Sequence, residues 1–234
     1  MTPHTTPTPS SSQAERPALH IDFVSDVACP WCAVGLNALE QAMERVKDVV
    51  RIELHFQPFE LNPQMGPEGE DSALHLKRKY GMDDAQLAAA RENLRRRGQE
   101  VGFSFGQRPR IWNTFDAHRL IHWAGLHGRQ HAMKRALLQA YQSEDRNPGE
   151  RAVLIDCAQQ CGLDADEAAR VFDSGAHAQE VRHALAQWQE AGIRSVPSIV
   201  INRRHLIQGG QPVEVFEQAL RQLAAAPPPP PVVS

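Results

Sequence analysis

Two cysteines separated by two residues are the feature of this sequence best suited to chemistry. Cys29 and Cys32 enclose Pro30 and Trp31, and the apolar periodicity of a helix begins directly after them. At the start of a helix, free backbone N–H groups and the helix dipole favour a thiolate over a thiol. The pattern therefore predicts thiol–disulfide exchange, in which Cys29, at the exposed helix start, attacks, and the more buried Cys32 resolves the mixed disulfide. Pro30 and Trp31 are expected to tune the reduction potential of the pair.

The elements around the cysteines predict a βαβ unit. Residues 20–26 and 49–56 have the apolar patterns of two short strands. Between them, apolar residues recur every three or four positions from residue 34 to residue 46, as on one face of a helix. Pro30 suits the first helical position, since the N–H that it lacks has no partner there. Asp26, between the first strand and the cysteines, either influences protonation of the thiolate or caps the helix.

Residues 62–192 change to helical patterns, and strand signals return only after Gly192. Six helices are expected in this stretch, several of them with capping residues at their starts. Residues 197–202 and 205–208 then read as two strands, and Pro212 opens a last helix. A βαβ front half and a ββα back half around a long helical stretch predict an α/β protein, a thioredoxin fold interrupted by a large all-helical insertion.

The order of these elements gives the expected domain organisation. Its parts are a disordered N-terminal tail (1–18), the first part of a thioredoxin-like domain (19–62), a helical insertion (63–192), the second part of the domain (193–226) and a proline-rich tail (227–234). Nine of the 17 prolines lie in the two tails, whose composition cannot bury enough apolar surface to offset the ordering of the chain.

A proline before the third strand is the second feature of chemical interest. Pro197 follows Val196 and precedes a strand, a turn, another strand and a helix. In thioredoxin folds the proline at this point is cis and faces the cysteine pair, and the backbone before it is free to pair with an extended peptide. Val196 and Pro197 are therefore expected beside the cysteines.

Cys157 and Cys161 form a second pair with a wider spacing. On a helix this spacing turns both side chains to one face, but the geometry of a disulfide makes a bridge between such positions difficult. Their apolar neighbours favour buried core thiols. A second redox pair and a zinc site formed by all four cysteines are the alternatives. No metal is expected, because a zinc site would require two pairs 125 residues apart to converge.

Composition excludes several classes of protein. The 234 residues carry 25 Lys and Arg against 28 Asp and Glu, a net charge of −3, so nucleic acid is not an expected partner. No apolar run approaches the roughly 20 residues needed to cross a bilayer, and no membrane partner is expected. Four cysteines are too few for a disulfide-built scaffold. The N-terminal residues lack a secretory signal, and a cytoplasmic protein is expected.

Short motifs spread over about 190 residues resemble those of the DsbA family, and most closely its FrnE-like cytoplasmic branch. That branch is related to 2-hydroxychromene-2-carboxylate isomerases and kappa-class glutathione transferases. The motifs occur in the order of the family, and the matching residues are Asp22-Phe23, Cys29-Pro30-Trp31-Cys32, Pro58-Phe59-Glu60-Leu61-Asn62-Pro63, Asn113-Thr114, Ala117-His118-Arg119-Leu120, Gly192, Val196-Pro197 and Gly209-Gly210-Gln211.

The resemblance implies a thiol–disulfide oxidoreductase with Cys29 as nucleophile, Cys32 as resolving cysteine and Pro197 as the cis-proline. Its partners would be protein or small-molecule thiols and disulfides, and glutathione is a candidate co-substrate. No tightly bound cofactor is expected beyond the redox-active disulfide. The FrnE-like branch can carry a second downstream pair, for which Cys157 and Cys161 are the candidates. The residues expected to contact substrate are Pro30, Trp31, Asn113, Thr114, His118 and Val196.

Two other functions stay open. The isomerase and transferase relatives carry a serine where this chain has Cys29, which argues against pure isomerase chemistry but leaves a glutathione-dependent isomerase or transferase as one alternative. A zinc-stabilised or chaperone-like binding module is the other.

Overall fold

The structure, a computed structural model, describes residues 16–226 and is built around a four-stranded sheet. Its strands are β1 (Ala18–Ser25), β2 (Arg51–Pro58), β5 (Ser198–Ile201) and β6 (His205–Gln208), in the spatial order β2-β1-β5-β6. β1 runs parallel to β2 and antiparallel to β5, which in turn runs antiparallel to β6. β1 therefore lies inside the sheet, which explains its nearly continuous burial.

Two helices complete the unit that carries the cysteines. α1 (Pro30–Val46) begins at Pro30 as expected, and its buried residues recur at helical spacing. α9 (Val213–Ala225) follows Pro212 and packs against α1. Near the end of α1, the Arg45 guanidinium lies 3.2 Å from a carboxylate oxygen of Glu214 and 3.1 Å from one of Glu217. The predicted thioredoxin fold is confirmed by this order of strands and helices.

Seven helices lie between β2 and β5. They are α2 (Ser72–Tyr80), α3 (Asp84–Glu100), α4 (Phe115–Leu126), α5 (Gln130–Leu138), α6 (Arg151–Gln160), α7 (Ala165–Ser174) and α8 (Ala178–Glu190), and α5 continues into a π-helical turn (Gln139–Ser143). Capping residues are present as expected: Asp83 caps α3 and Asp164 caps α7, since each carboxylate accepts a backbone N–H three residues on.

The insertion differs from the sequence prediction in two ways. First, α2 was not among the six expected helices, because it carries no apolar stripe: its buried residues are only Ser72 and His75. Asp71 caps it by accepting the N–H of Leu74 at 2.9 Å. Second, the insertion is not all helical. Two short strands, β3 (Glu70–Asp71) and β4 (Arg110–Ile111), pair antiparallel within it.

A single apolar core joins the sheet to the inserted helices. Phe23 of β1 and Leu36 of α1 belong to the same buried cluster as Leu120, Leu137 and Leu154 of the insertion. The insertion is therefore packed onto the cysteine-bearing unit, and side chains from both can reach the same site.

The ends of the chain lie mostly outside the described residues. β1 begins at Ala18, two residues before the predicted strand. The predicted tails, residues 1–18 and 227–234, lie outside the described part apart from residues 16–18. Between residues 16 and 226, no helix combines the length and the apolar character that crossing a membrane requires.

Candidate active site

The turn between β1 and α1 holds the two cysteines. Cys29 is the N-cap of α1, where its side chain makes no capping hydrogen bond, and Cys32 lies one turn into the helix. Both thiols are free. The expected exposure of Cys29 is wrong, because its exposed fraction is only 4%, against 0% for Cys32. Cys29 is at the very start of α1, so its low exposure comes from side chains of other segments that cover it. The sequence does not show which segments these are.

Cys29 faces the loop before β5. Its Sγ lies 3.5 Å from the carbonyl oxygen of Val196, and the peptide bond between Val196 and Pro197 is cis. Pro197 is buried against α1, whereas Val196 is partly exposed. The sulfur of Cys29 is thus the group of the pair that meets this loop.

Two glycines allow the loop to approach α1 so closely. A Cβ on Gly35 of α1 would lie 3.0 Å from Cγ of Pro197 and 3.4 Å from Cα of Gly210. A Cβ on Gly210 would lie 3.1 Å from the carbonyl oxygen of Trp31. Because such contacts are tighter than ordinary van der Waals packing, the absence of side chains at both positions sets the distance between the helix and the loop.

Cys29 opens onto a cavity of about 550 Å³ between the cysteine-bearing unit and the insertion. Three of the predicted substrate contacts, Pro30, Trp31 and Val196, line it. Much of the remaining lining is apolar and comes from the segment after β2, from α2, α3 and the link between them, and from the π-helical turn. The apolar residues are Leu61, Leu76, Tyr80, Met82, Leu87, Ala90, Leu94 and Tyr141. The cavity therefore suits a ligand with an apolar body.

Cationic side chains also line this cavity. They are Lys79, Arg91, Arg108 and Arg194. Arg108 is largely buried, and burial lowers the pKa of its guanidinium. Its Nη1 donates to Oε1 of Gln142 at 2.9 Å. Four cations beside a mostly apolar wall favour a ligand that also carries negative charge.

His75 adds an unused polar atom to the same cavity. Its Nδ1 lies 2.8 Å from Oε2 of Glu70, and this contact, with that of Arg78, lowers the pKa of the Glu70 carboxyl. Its Nε2 is buried and has no hydrogen-bond partner among residues 16–226. A buried polar group without a partner is costly, and a ligand in the cavity is one way to supply the missing hydrogen bond.

A buried carboxylate lies on the other side of the cysteines. Asp26 is 1% exposed and accepts hydrogen bonds from the N–H groups of Ala28 (3.0 Å) and Leu61 (2.7 Å) and from the hydroxyl of Thr114 (2.8 Å). Burial acts to raise the pKa of Asp26, but the interactions with His118 and the backbone outweigh it, so that this pKa lies below its ordinary value. Asp26 therefore organises the turn as a charged group.

The histidine of this network is also fully buried. Nε2 of His118 lies 3.0 Å from the carbonyl oxygen of Phe59 and 3.6 Å from Oδ1 of Asp26. The shorter distance identifies the Phe59 carbonyl as its principal acceptor. Burial lowers the pKa of His118, although Asp26 acts in the opposite direction.

Three of the predicted substrate contacts lie away from the cavity of Cys29. Thr114 and His118 are turned towards Asp26. Nδ2 of Asn113 donates to the carbonyl oxygen of Met65 at 3.1 Å, and its Oδ1 accepts the N–H of Phe115 at 2.9 Å. Thr114 and His118 thus connect the insertion to the turn that carries the cysteines, whereas the contacts of Asn113 stay within the insertion.

A buried lysine, which the sequence reasoning missed, completes the surroundings of the pair. Lys134 of α5 is 1% exposed and forms no ion pair with a carboxylate among residues 16–226. Burial lowers the pKa of its ammonium group, and the charges of Cys32 and Asp26 act in the opposite direction. The only signal in the sequence was a lysine following Met133 on a helix with an apolar face.

The pKa of Cys32 is raised well above its ordinary value. Burial is the main cause, followed by the hydrogen bond and the charge of Cys29, while the positive charge of Lys134 acts to lower it. Cys32 is therefore the protonated member of the reduced pair at neutral pH. A nucleophilic thiolate would have to be that of Cys29.

The second cysteine pair has a different environment. Cys157 lies in α6 and Cys161 is its C-cap residue, and both are part of the apolar core. Burial raises the pKa of Cys157 to about 12 and also raises that of Cys161. Such thiols are poor nucleophiles at neutral pH.

The four cysteines do not converge on one point. Within residues 16–226, which include all four, the one group of three side chains able to hold a metal ion is formed by His20, Glu53 and His55. The four-cysteine zinc site that the sequence left open is therefore not formed, because the inserted helices bury Cys157 and Cys161 among their own side chains.

Comparisons with known proteins agree with this architecture. A family model of the DSBA-like thioredoxin domain matches residues 20–221. The uncharacterized protein YwbO of Bacillus subtilis (strain 168) is 30% identical over 204 residues, which are 86% of this chain and 96% of that protein. A probable DsbA oxidoreductase of Streptomyces coelicolor, SCO1869, is 32% identical and superimposes with a TM-score of 0.84 over 92% of this chain and 94% of that one.

Two further solved structures share the fold at lower identity. A 2-hydroxychromene-2-carboxylate isomerase is 14% identical, with a TM-score of 0.66 over 87% of this chain and 95% of that one. The cytosolic disulfide reductase DsbM of Pseudomonas aeruginosa, solved with GSH, is 21% identical, with a TM-score of 0.59 over 87% of this chain and 98% of that one. The relation to DsbA-like proteins, expected from the motifs, is confirmed by the family model, and the chain shares its fold with this isomerase. With a family model that covers most of its length, the chain belongs to the DSBA-like thioredoxin domain family.

Proposed function

We propose that this protein is a thiol–disulfide oxidoreductase that acts through Cys29 and Cys32. The observation that carries the proposal is the asymmetry of the pair: Cys29 meets both the substrate cavity and the Val196 carbonyl, whereas Cys32 is fully buried behind it with a raised pKa. A pair of this kind has one sulfur that can attack and one that can only react internally.

The exchange proceeds in two balanced steps. The Cys29 thiolate attacks one sulfur of a substrate disulfide, forming a mixed disulfide and releasing the other substrate sulfur as a thiolate. Cys32 then loses its proton, which the first released substrate thiolate takes up by way of solvent. The Cys32 thiolate attacks the sulfur of Cys29, which forms the Cys29–Cys32 disulfide and releases the second substrate sulfur as a thiolate. The substrate gains two electrons and the protein loses two. In the reverse direction the same steps oxidise a substrate dithiol.

Deprotonation of Cys32 is the step that its surroundings must assist. The positive charge of Lys134 favours the Cys32 thiolate and offsets part of the cost of burial. Asp26 contributes differently, because its carboxylate holds Thr114, Ala28 and Leu61 around the turn. Lys134 is thus a positioning and charge-stabilising group, not a nucleophile.

The substrates we propose are protein or small-molecule disulfides with an apolar group and a negative charge near the sulfur. The apolar wall and the four cations of the cavity support this choice. Glutathione has a thiol and two carboxylates, and we propose it as the reductant that regenerates the pair. A cytoplasmic setting would supply it, and the Pseudomonas neighbour solved with GSH is itself described as cytosolic.

Substitution of each sulfur tests the proposal. Cys29→Ser should abolish the reduction of insulin disulfides, whereas Cys32→Ser should trap a mixed disulfide with substrate, visible as added mass that dithiothreitol removes. Cys157→Ser is the matched control and should keep full activity, because Cys157 lies in the apolar core with a raised pKa. Full insulin reduction by Cys29→Ser would overturn the proposal.

A glutathione-dependent isomerase or transferase is the second candidate function. The cationic cavity next to Cys29 favours it, because glutathione and an aromatic acid would both find counter-charges there. In this case Cys32→Ser should still bind glutathione and turn over a small electrophile. If Cys32→Ser does not turn over the electrophile, and Cys29→Ser does not reduce disulfides, the oxidoreductase activity is the one supported.

A further inference from the structure

Three side chains of the types that bind metal ions lie close together on the β1–β2 pair. His20 of β1 pairs in register with Glu53 of β2, and His55 follows two residues after Glu53. Residues two apart on a strand point to the same face, so that these side chains share one side of the sheet. One nitrogen of each imidazole and one carboxylate oxygen of Glu53 lie within 4.8 Å of one another.

The His20 ring is held in place by a buried carboxylate. Its Nε2 lies 3.0 Å from Oδ2 of Asp22, and the other oxygen of Asp22 accepts a hydrogen bond from Nε2 of Gln57 at 2.7 Å. Because a carboxylate oxygen accepts in this contact, Nε2 of His20 is the donor, and in the neutral ring with that tautomer Nδ1 is the nitrogen with a lone pair for a metal. A carboxylate behind a histidine is the usual support of a metal-binding imidazole. Asp22, at 3% exposed, is fixed in that role.

The remaining two ligands are accessible. His55 and Glu53 are exposed, and the rings of His20 and His55 stack with centroids 4.5 Å apart. Oε1 of Glu53 also lies 3.0 Å from Nη1 of Arg51. Both partners of that ion pair are exposed, so it is weak, and it leaves Oε2 free.

We propose that His20, Glu53 and His55 form a binding site for a divalent transition-metal ion, with Zn²⁺ as the ion that fits best. Two imidazoles and one carboxylate form a donor set suited to zinc and unlike the all-oxygen sets of Mg²⁺ and Ca²⁺. Zinc ligands at about 2.0–2.1 Å from the ion are roughly 3.4 Å apart in a tetrahedron. Small rotations of the exposed Glu53 and His55 side chains bring the donors to that spacing, and water fills the fourth position.

This site is independent of the redox pair, and the experiment must keep the two apart, because vicinal thiols also bind zinc. The parent is therefore the untagged full chain with Cys29→Ser and Cys32→Ser. Titration with Zn²⁺ alone, followed by calorimetry, should give one ion per chain. His55→Ala in this background should weaken binding at least tenfold. The matched control, His183→Ala on the exposed face of α8, should bind as the parent does.

A second variant and a second probe remove ambiguity over folding. Asp22→Asn keeps the shape of the side chain that supports His20 but removes its charge, and it should weaken Zn²⁺ binding about tenfold, as loss of such support does elsewhere. Co²⁺ in place of Zn²⁺ should give visible bands of nitrogen and oxygen ligands without thiolate charge transfer. Thermal melts without metal should be the same for parent, His55→Ala and His183→Ala. Equal Zn²⁺ affinity in parent and His55→Ala, or no binding by the parent, would overturn the proposal.

Discussion

At the scale of single residues, the two sulfurs of the pair are distinguished by what touches them. Cys29 meets a carbonyl oxygen and a cavity, whereas Cys32 meets the apolar core, Cys29 and the charge of Lys134. Lys134 is itself buried without an ion pair to a carboxylate in the described part of the chain. Burial of the Lys134 ammonium group without a counter-charge lowers the stability of the fold, and the same charge acts on Cys32. This combination is typical of a functional residue.

Replacement of Lys134 by methionine should separate its effect on chemistry from its effect on folding. Lys134→Met keeps the length of the side chain but removes a charge whose burial is costly, so the free energy of unfolding should be unchanged or higher. The pKa of Cys32 should rise further, and resolution of the mixed disulfide should slow by roughly three- to fourfold for each unit of that rise, because the thiolate fraction falls tenfold while the thiolate itself becomes more nucleophilic. Stopped-flow measurement of resolution and ultraviolet titration of the thiolate check the two effects.

A surface lysine provides the comparison for this variant. Lys47→Met removes a charge that is exposed, so it should leave both the thiolate titration and the resolution rate as in the wild type. If Lys134→Met behaved in the same way as Lys47→Met, Lys134 would have no role in the chemistry.

Residue-level prediction from the sequence reaches furthest where the motif is local. The spacing of Cys29 and Cys32 placed them at the start of a helix, where they lie, and the order of elements in a thioredoxin fold predicted the cis peptide bond before Pro197, which is present. Lys134 could not, because nothing near it in the chain shows that α5 packs behind Cys32. Asp26 was found, but its partners Thr114 and His118 come from 88 and 92 residues further on. Burial created by distant segments is the information that a local pattern lacks.

At the scale of elements, the contact between α1 and the loop before β5 sets the geometry of the site. Gly35 lets the Pro197 ring lie against the helix, and the same loop holds the Val196 carbonyl at the Cys29 sulfur. Glycine inside a helix costs up to about 1 kcal/mol relative to alanine, so the contact it permits must compensate for that cost.

Substitution of Gly35 by alanine should therefore impair the protein despite the better helix former. The new Cβ would meet a rigid proline ring at 3.0 Å and the backbone of Gly210 at 3.4 Å, and the loop must move away from Cys29. We expect at least a tenfold loss of insulin reduction and a lower melting temperature. Gly125→Ala in α4 is the matched control, because its Cβ meets only the side chain of Gln130. It should stabilise the protein by about 0.5–1 kcal/mol and keep full activity. An active, stabilised Gly35→Ala would contradict this account of the contact.

The elements also differ in how well the sequence predicts them. β6 lies at its predicted bounds, residues 205–208, because a turn and a glycine pair flank it closely. α2 was missed, since its helical residues face the cavity beside Cys29 rather than a continuous core and so leave no apolar periodicity. The short pairing of β3 with β4 was missed for a related reason. Two-residue strands are selected by the contact that they make across 40 residues, not by their own sequence.

At the scale of the whole molecule, the site exists only where the cysteine-bearing unit and the insertion meet. The unit contributes Cys29 and Asp26, whereas the insertion contributes Lys134, Arg108 and the wall of the cavity. One apolar core runs through both parts. Changes in the charge of the interface should therefore alter the stability of the entire fold and not of one part alone.

Glu60, just after β2, gives such a change near neutral pH. Burial raises its pKa to about 7, with the charge of Asp26 adding to the effect and that of Arg182 opposing it. In the unfolded chain its pKa is near 4.5. Below pH 4.5 the carboxyl is protonated in both states and contributes nothing to pH dependence. Between pH 4.5 and about 7 it is ionised only in the unfolded chain, so stability falls as pH rises, and above that range the loss is constant.

Replacement of Glu60 by glutamine should remove this loss. Relative to wild type, Glu60→Gln should gain stability progressively from pH 4.5 to about 7 and then hold a constant advantage on the order of 1–2 kcal/mol, less than the full pKa change implies, because solvent screens a half-buried carboxylate. Urea unfolding of the full chain at pH 4.5, 6, 7 and 8 measures the difference. Glu190→Gln, at the exposed end of α8, is the control and should follow the wild-type profile. A difference between Glu60→Gln and wild type that stayed the same at all four pH values would mean that Glu60 is ionised in the folded protein throughout, and that the charge of Asp26 and the surrounding core do not act on it.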